Sequence, residues 1–185
     1  MFGMHSNNLV GPKPIVIPLK MHIDQKKIGY HPYNPVIVRT DKNGDTARMM
    51  VGMYEDDMGG KRHLSEMDGY RCIGVIAEGY DPVSSTHAFA GRVTGAIMQG
   101  SADAARVQQG ADTPGSEINR AWAILEDLVA DFDDTPVNIA GKNFYYLGLR
   151  KYDAAKDSPR DVVGKAMSGK NVGDRTAPVF INRTL

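Results

Sequence analysis

A chain of 185 residues, 42% hydrophobic and 24% charged, has room for one hydrophobic core and an ordinary globular composition. Its 22 Lys and Arg balance 22 Asp and Glu, which argues against a protein whose main work is gripping nucleic acid, since that grip needs clustered basic residues facing phosphates. The single cysteine cannot close an internal disulfide, no run approaches the ~20 apolar residues of a membrane span, and "MFGMHSNNLVGPKP" lacks the basic and apolar regions of a signal peptide.

Residues 1–13 predict an extended N-terminal arm, and residues 14–185 a single β-rich α+β domain. In "KPIVIPLKMHID", Ile15, Ile17, Leu19, Met21 and Ile23 alternate with other residues, the period of a half-buried strand. Pro14 and Pro18 lack N–H donors, so this strand belongs at a sheet edge or bridges to another chain. "PVIVRT" (35–40) and "ARMMVGMY" (47–54) predict two strands around "DKNGDT", where Asn43-Gly44 suits a tight hairpin. The segment 54–70 mixes charges and glycines and predicts an exposed loop, with Lys61, Arg62 and His63 as solvated surface. Strands follow at 70–80, with Cys72 as a small buried hydrophobe, and at 88–100.

The clearest helix signal is "SEINRAWAILEDLVADF", about 116–132. Ser116 can cap it, and Ile118, Trp122, Leu125, Val129 and Phe132 recur at helical spacing, with Arg120, Asp127 and Asp131 opposite. Shorter helices are expected after Ser101, ending at Gly110, and after Ser158, with Pro159 at the first helical position. Residues 143–149 and 177–185 supply further strands. The expected fold is antiparallel sheets, a sandwich or a barrel, with one main amphipathic helix and an extended arm.

Candidate chemistry is sparse. Asp41, Asn43 and Asp45 alternate like the opening ligands of a calcium loop, but position six is Thr46 and position twelve is Gly52 rather than a bidentate Glu. A hairpin tip accounts for the same residues. The histidines lack zincin spacing, and Gly59-Gly60-Lys61 lacks the glycine and hydroxyl of a P-loop. Glu78, Asp81, Ser84, Ser85 and His87 place a carboxylate, hydroxyls and a base together, although sequence neighbours on a turn rarely converge as a triad must. Asp133 and Asp134 could pair as carboxylates, or simply close the helix before Pro136.

The segment "CIGVIAEGYDPVSSTHAFAGRVTGAIM" resembles a pattern in bacteriophage head decoration proteins, in which a strand and turn lead to a second strand near a glycine. Here the matching residues are Gly74, Val75, Ile76, Ala77, Glu78 and Asp81, then Gly91 and Val93. The resemblance covers under a sixth of the chain and implies no catalytic residues. The resulting expectation is a non-enzymatic structural subunit of a virion, first a capsid decoration protein and alternatively a tail-tube or connector subunit. Its partners would be copies of itself and other capsid or tail subunits, without sequence-specific nucleic acid or membrane. It would be made in the host cytoplasm and end in the virion. No catalytic, cofactor or metal residue is expected. The competing readings are a small hydrolase using 78–87 and a calcium-stabilised module at 41–45.

Overall fold

A computed structural model describes residues 15–20, 34–40, 47–51, 53–55, 63–66, 70–76, 93–103, 116–139, 141–174 and 176–183. They form eleven strands: β1 (Ile15–Lys20), β2 (Pro35–Thr40), β3 (Ala47–Val51), β4 (Met53–Glu55), β5 (Tyr70–Ile76), β6 (Val93–Asp103), β7 (Asp127–Phe132), β8 (Val137–Ile139), β9 (Lys142–Lys151), β10 (Val162–Ala166) and β11 (Pro178–Asn182). Every pairing among them is antiparallel. The order β3-β2-β5-β6-β11-β10-β7-β9-β4 is an open path, not a barrel.

Strand β6 links two groups. Ile97 pairs with Val16 on one side and Val75 on the other, while Gln99 pairs with Ile15 and Asn182. Thus β1 occupies one edge of β6, and β5 and then β11 share the opposite edge in succession. Gly100, at φ +135°, sits just where that edge passes from β5 to β11, a backbone position that side chains with Cβ resist. Beyond this handover the sheet folds back on itself. Ile37, Cys72 and Val75 of the β2–β5 group share one core with Leu128, Phe132, Leu147, Leu149, Val163, Val179 and Ile181 of the other. Arg183 Nε and Asn34 Nδ2 stitch the groups by donating to the carbonyls of Cys72 (3.0 Å) and Leu147 (3.4 Å).

Several expectations hold. The strands around residues 41–46 pair as a hairpin, Thr40 opposite Ala47; the tip itself, with Asp41, Asn43 and Asp45, lies outside the described residues, as does the 1–13 arm. Among the described residues, Pro18 lies in a strand paired on one side, opposite Gly95.

The main amphipathic helix at 116–132 is overturned. Ser116 does cap a turn, its Oγ accepting the Asn119 N–H at 3.1 Å. The chain then bridges Trp122 to Lys170, passes Leu125 at φ +66°, and becomes β7. Strand β7 is flanked by β10 and β9 and buried on both faces, so its sequence shows no alternation and its apolar run fits a helical period by default. Leu125, expected in the core, is exposed, and Asp131, expected in solvent, is fully buried. The helix after Ser158 is also corrected. Ser158 and Asp161 form a capping box around Pro159, but the turn stops at Asp161 and β-branched Val162-Val163 opens β10. Ser101–Asp103 ends β6, and 104–110 lie outside the described residues. Among the described residues, the helical pieces are the 3-10 turns Leu64–Glu66 and Pro159–Asp161.

Candidate functional site

The face of β7 and β9 turned away from the shared core carries Val129, Asp131, Gly148 and Arg150, with Asp131 opposite Gly148 and Val129 opposite Arg150. Two turns cover this face. Ile118 lies so close over Gly148 that a Cβ there would collide with it, which explains the glycine. Glu117, beside it, and the turn at 63–66 bring further charges over the strands.

These charges converge on Arg150. Its Nε donates to Asp131 Oδ2 at 2.7 Å and lies 3.1 Å from Glu117 Oε2. Its two terminal nitrogens grip Asp157 in a bidentate pair at 2.7 and 2.6 Å, the geometry in which a planar guanidinium binds a carboxylate best. Asp157 also accepts the Asp153 N–H at 2.8 Å, which fixes the turn after β9. Asp131 accepts the Leu64 N–H at 2.9 Å and is paired with His63 Nδ1 at 2.7 Å. Lys156 Nζ donates to Glu117 Oε1 at 2.9 Å. His63, expected as solvated surface in a loop, is therefore part of a buried network, and Leu64 beside it enters the core.

The electrostatics follow from these partners. Burial alone would draw Arg150 down, but the hydrogen bonds and charges of Asp157 and Asp131 outweigh it and hold its pKa above the usual guanidinium value. Burial likewise works to raise Asp157. Arg150, the Asp153 N–H and the charge of His63 outweigh that effect and leave its carboxyl below the ordinary range.

One geometric possibility is a metal centre, since His63, Glu117 and Asp131 present ligand atoms within 4.8 Å of one another. The donor set argues otherwise. Arg150 Nε already lies between the two carboxylates, and the His63–Asp131 separation of 2.7 Å is that of a hydrogen bond. A divalent ion would have to displace a guanidinium held by Asp157 from its other end. Catalysis is also poorly served. Asp131 could orient His63, but it shares the same oxygen with Arg150, and the nearby Ser65 hydroxyl donates to the Lys156 carbonyl. The adjacent depression, lined by residues that include Leu64, Ser65, Arg71, Asp157, Asp161 and Arg183, has a cavity volume of only about 10 Å³, room for roughly one water and far too small to enclose a ligand. The arrangement holds segments together.

A second buried carboxylate lies two residues along. Asp133 marks the irregular step between β7 and β8, with its N–H donating to the Tyr146 carbonyl at 2.7 Å. Its Oδ1 accepts the Asp134 N–H at 2.8 Å, and its Oδ2 is buried without a hydrogen-bond partner. Burial, then the neighbouring Asp134 carboxylate, push its pKa up to about 7, against the opposing Asp134 N–H and Ser116 hydroxyl. The expectation that Asp133 and Asp134 close a helix before Pro136 is overturned: they follow strand β7, where the Asp134 N–H bonds Asp133 and the Asp134 carboxylate acts on its pKa. Cys72 is buried, and burial pushes its thiol up to about 11, so it is inert at neutral pH.

The cluster at Glu78, Asp81, Ser84, Ser85 and His87 lies outside the described residues. The Arg150 network was not singled out in the sequence. Its signal was faint: a charge ending the apolar run "NFYYLGLR" and another inside "LVADF". No protein-family model, curated protein or solved structure matches this chain.

Proposed function

We propose that this chain is a non-enzymatic structural subunit of a large assembly, a virion component of the capsid-decoration kind, joined to neighbours through its N-terminal arm and the β1 edge. The observation that carries this reading is β1. It pairs with β6 along one side, and among the described residues no strand pairs with its other side. Pro18 interrupts its donors, and Ile15 is 52% exposed. An edge of this kind is a template for strand addition between subunits. Further support comes from the resemblance segment, whose two strands, β5 and β6, are antiparallel neighbours. An ionic cluster spent on binding turns to a sheet also suits a scaffold better than a turnover site.

The test is the mass of the native particle by light scattering, with direct imaging, followed by limited proteolysis of residues 1–20. The expected result is a multimeric particle in which the arm is protected, and a dissociated monomer in which it is cut. A verified monomer whose arm resists cleavage removes the main support for the reading.

A further inference from the structure

Strands β7, β9 and β10 share one end of the sheet, where β7 begins and β9 and β10 finish. That end carries apolar side chains into water. Ile124 is 61% exposed, Leu125 69% and Met167 47%. Backbone hydrogen bonds gather them: the Leu125 N–H donates to the Ala166 carbonyl at 2.8 Å, and the Ala166 N–H to the Glu126 carbonyl at 2.9 Å. The 123–126 turn therefore lies against the end of β10, where Met167 follows. Val172, 58% exposed, stands on the next turn, past the Trp122–Lys170 bridge. Single exposed hydrophobics are ordinary, but a gathered set marks a contact surface.

The backbone gives an independent sign. Leu125 is the positive-φ residue other than glycine among the described residues, at +66°. A side chain with Cβ is disfavoured there, a cost that Gly or Asn would largely avoid. The fold tolerates this strain at the point where it sets an apolar side chain furthest into solvent.

The rim indicates what covers the tip. On the β10 side, Lys165 Nζ pairs with Asp127 Oδ1 at 2.6 Å; on the β9 side, Lys151 Nζ pairs with Glu126 Oε1 at 2.8 Å. Each side offers one cation and one anion. Such a rim selects neither a basic nor an acidic partner, but it is complementary to itself, because a two-fold rotation can bring cations of one copy to anions of the other. The chain's net charge of zero removes long-range repulsion between copies.

We propose that this tip is an isologous contact between two copies of the chain, with Leu125 at its centre. The contact uses a different surface from the β1 edge and holds whether or not a larger particle forms.

Sedimentation velocity of the full chain, at matched micromolar concentrations, tests it. The expected result is a dimer that Leu125→Asp and Ile124→Asp each weaken about ten-fold or more, with the circular dichroism of both variants unchanged because the replaced side chains are exposed. Leu125→Asn should dissociate likewise yet unfold at a higher temperature than Leu125→Ala, since Asn relieves the backbone strain. A wild-type chain that stays monomeric overturns the proposal, as does a dimer indifferent to both Asp variants. A large particle that persists with Leu125→Asp, unchanged in its two-fold contacts, also overturns it while leaving the β1-edge reading intact.

Discussion

Asp131 and Asp133 lie two residues apart, both with no exposed surface, and they meet opposite fates. Asp131 receives Arg150, His63 and the Leu64 and Phe132 N–H groups. Asp133 has the Asp134 N–H and the Ser116 hydroxyl, with a second carboxylate beside it. Burial is common to both, so burial is not what separates them. The difference is what the neighbouring strand and covering turns bring: β9 delivers a guanidinium over Asp131, while at Asp133 the chain leaves β7 for the β8 step. A buried carboxylate is anchored by its partners, and one without enough of them becomes sensitive to pH.

The strongest way to break this contrast is Arg150→Met. It leaves Asp131, Glu117 and Asp157 buried without their shared cation, and urea denaturation should show a loss of about 3–5 kcal/mol. A loss below about 1 kcal/mol would mean that water already neutralises these carboxylates and that the contrast is false. Asp131→Asn is expected to cost less, about 2–3 kcal/mol, because Arg150 keeps its bidentate grip on Asp157 while its Nε and His63 lose an ionised acceptor. Folding should survive this change, and hydrogen exchange should quicken first at Leu64, whose N–H the carboxylate accepts.

The effect of Asp133→Asn changes with pH, and its sign is the informative part. The folded pKa of Asp133, about 7, lies above the ordinary 3.8. The folded state therefore holds this proton more tightly than the unfolded chain does. The stabilisation is fully present below the unfolded value and is lost as pH rises through about 7. Over pH 4 to 8, wild-type stability should fall relative to Asp133→Asn, leaving the variant the more stable protein at the alkaline end. Paired urea midpoints across that window measure the difference. A difference running the other way would show that Asp133 is held ionised, as its neighbour's partners would suggest.

The sequence made much of the β architecture legible for a local reason. Strands such as β1 and β2 are bounded by proline or turn residues, and the 40/47 hairpin is marked by Asn43-Gly44. Strand β7 escaped because its identity is set by neighbours. Flanked by β10 and β9 and buried on both faces, it shows no alternation, and its spacing from Ile118 to Phe132 imitates a helix. The Ser158 signal was real but local: it specifies a cap, and the valines that follow decide that no helix continues. The ionic site was hidden more deeply. Arg150 meets Glu117, Asp131 and Asp157 only after β7 and β9 pair and the covering turns close over them, and nothing in the spacing of those residues encodes that meeting.

The position of β11 has a consequence for how the chain is made. Its residues, 178–182, insert between β6 and β10, so both flanking strands precede their common neighbour along the chain. Until it arrives, β6 and β10 each present an open flank, and the handover of β6 from one group of strands to the other cannot be completed. The domain therefore closes only once nearly the whole of the sequence shown is available, and until then its bare flanks are open to mispairing.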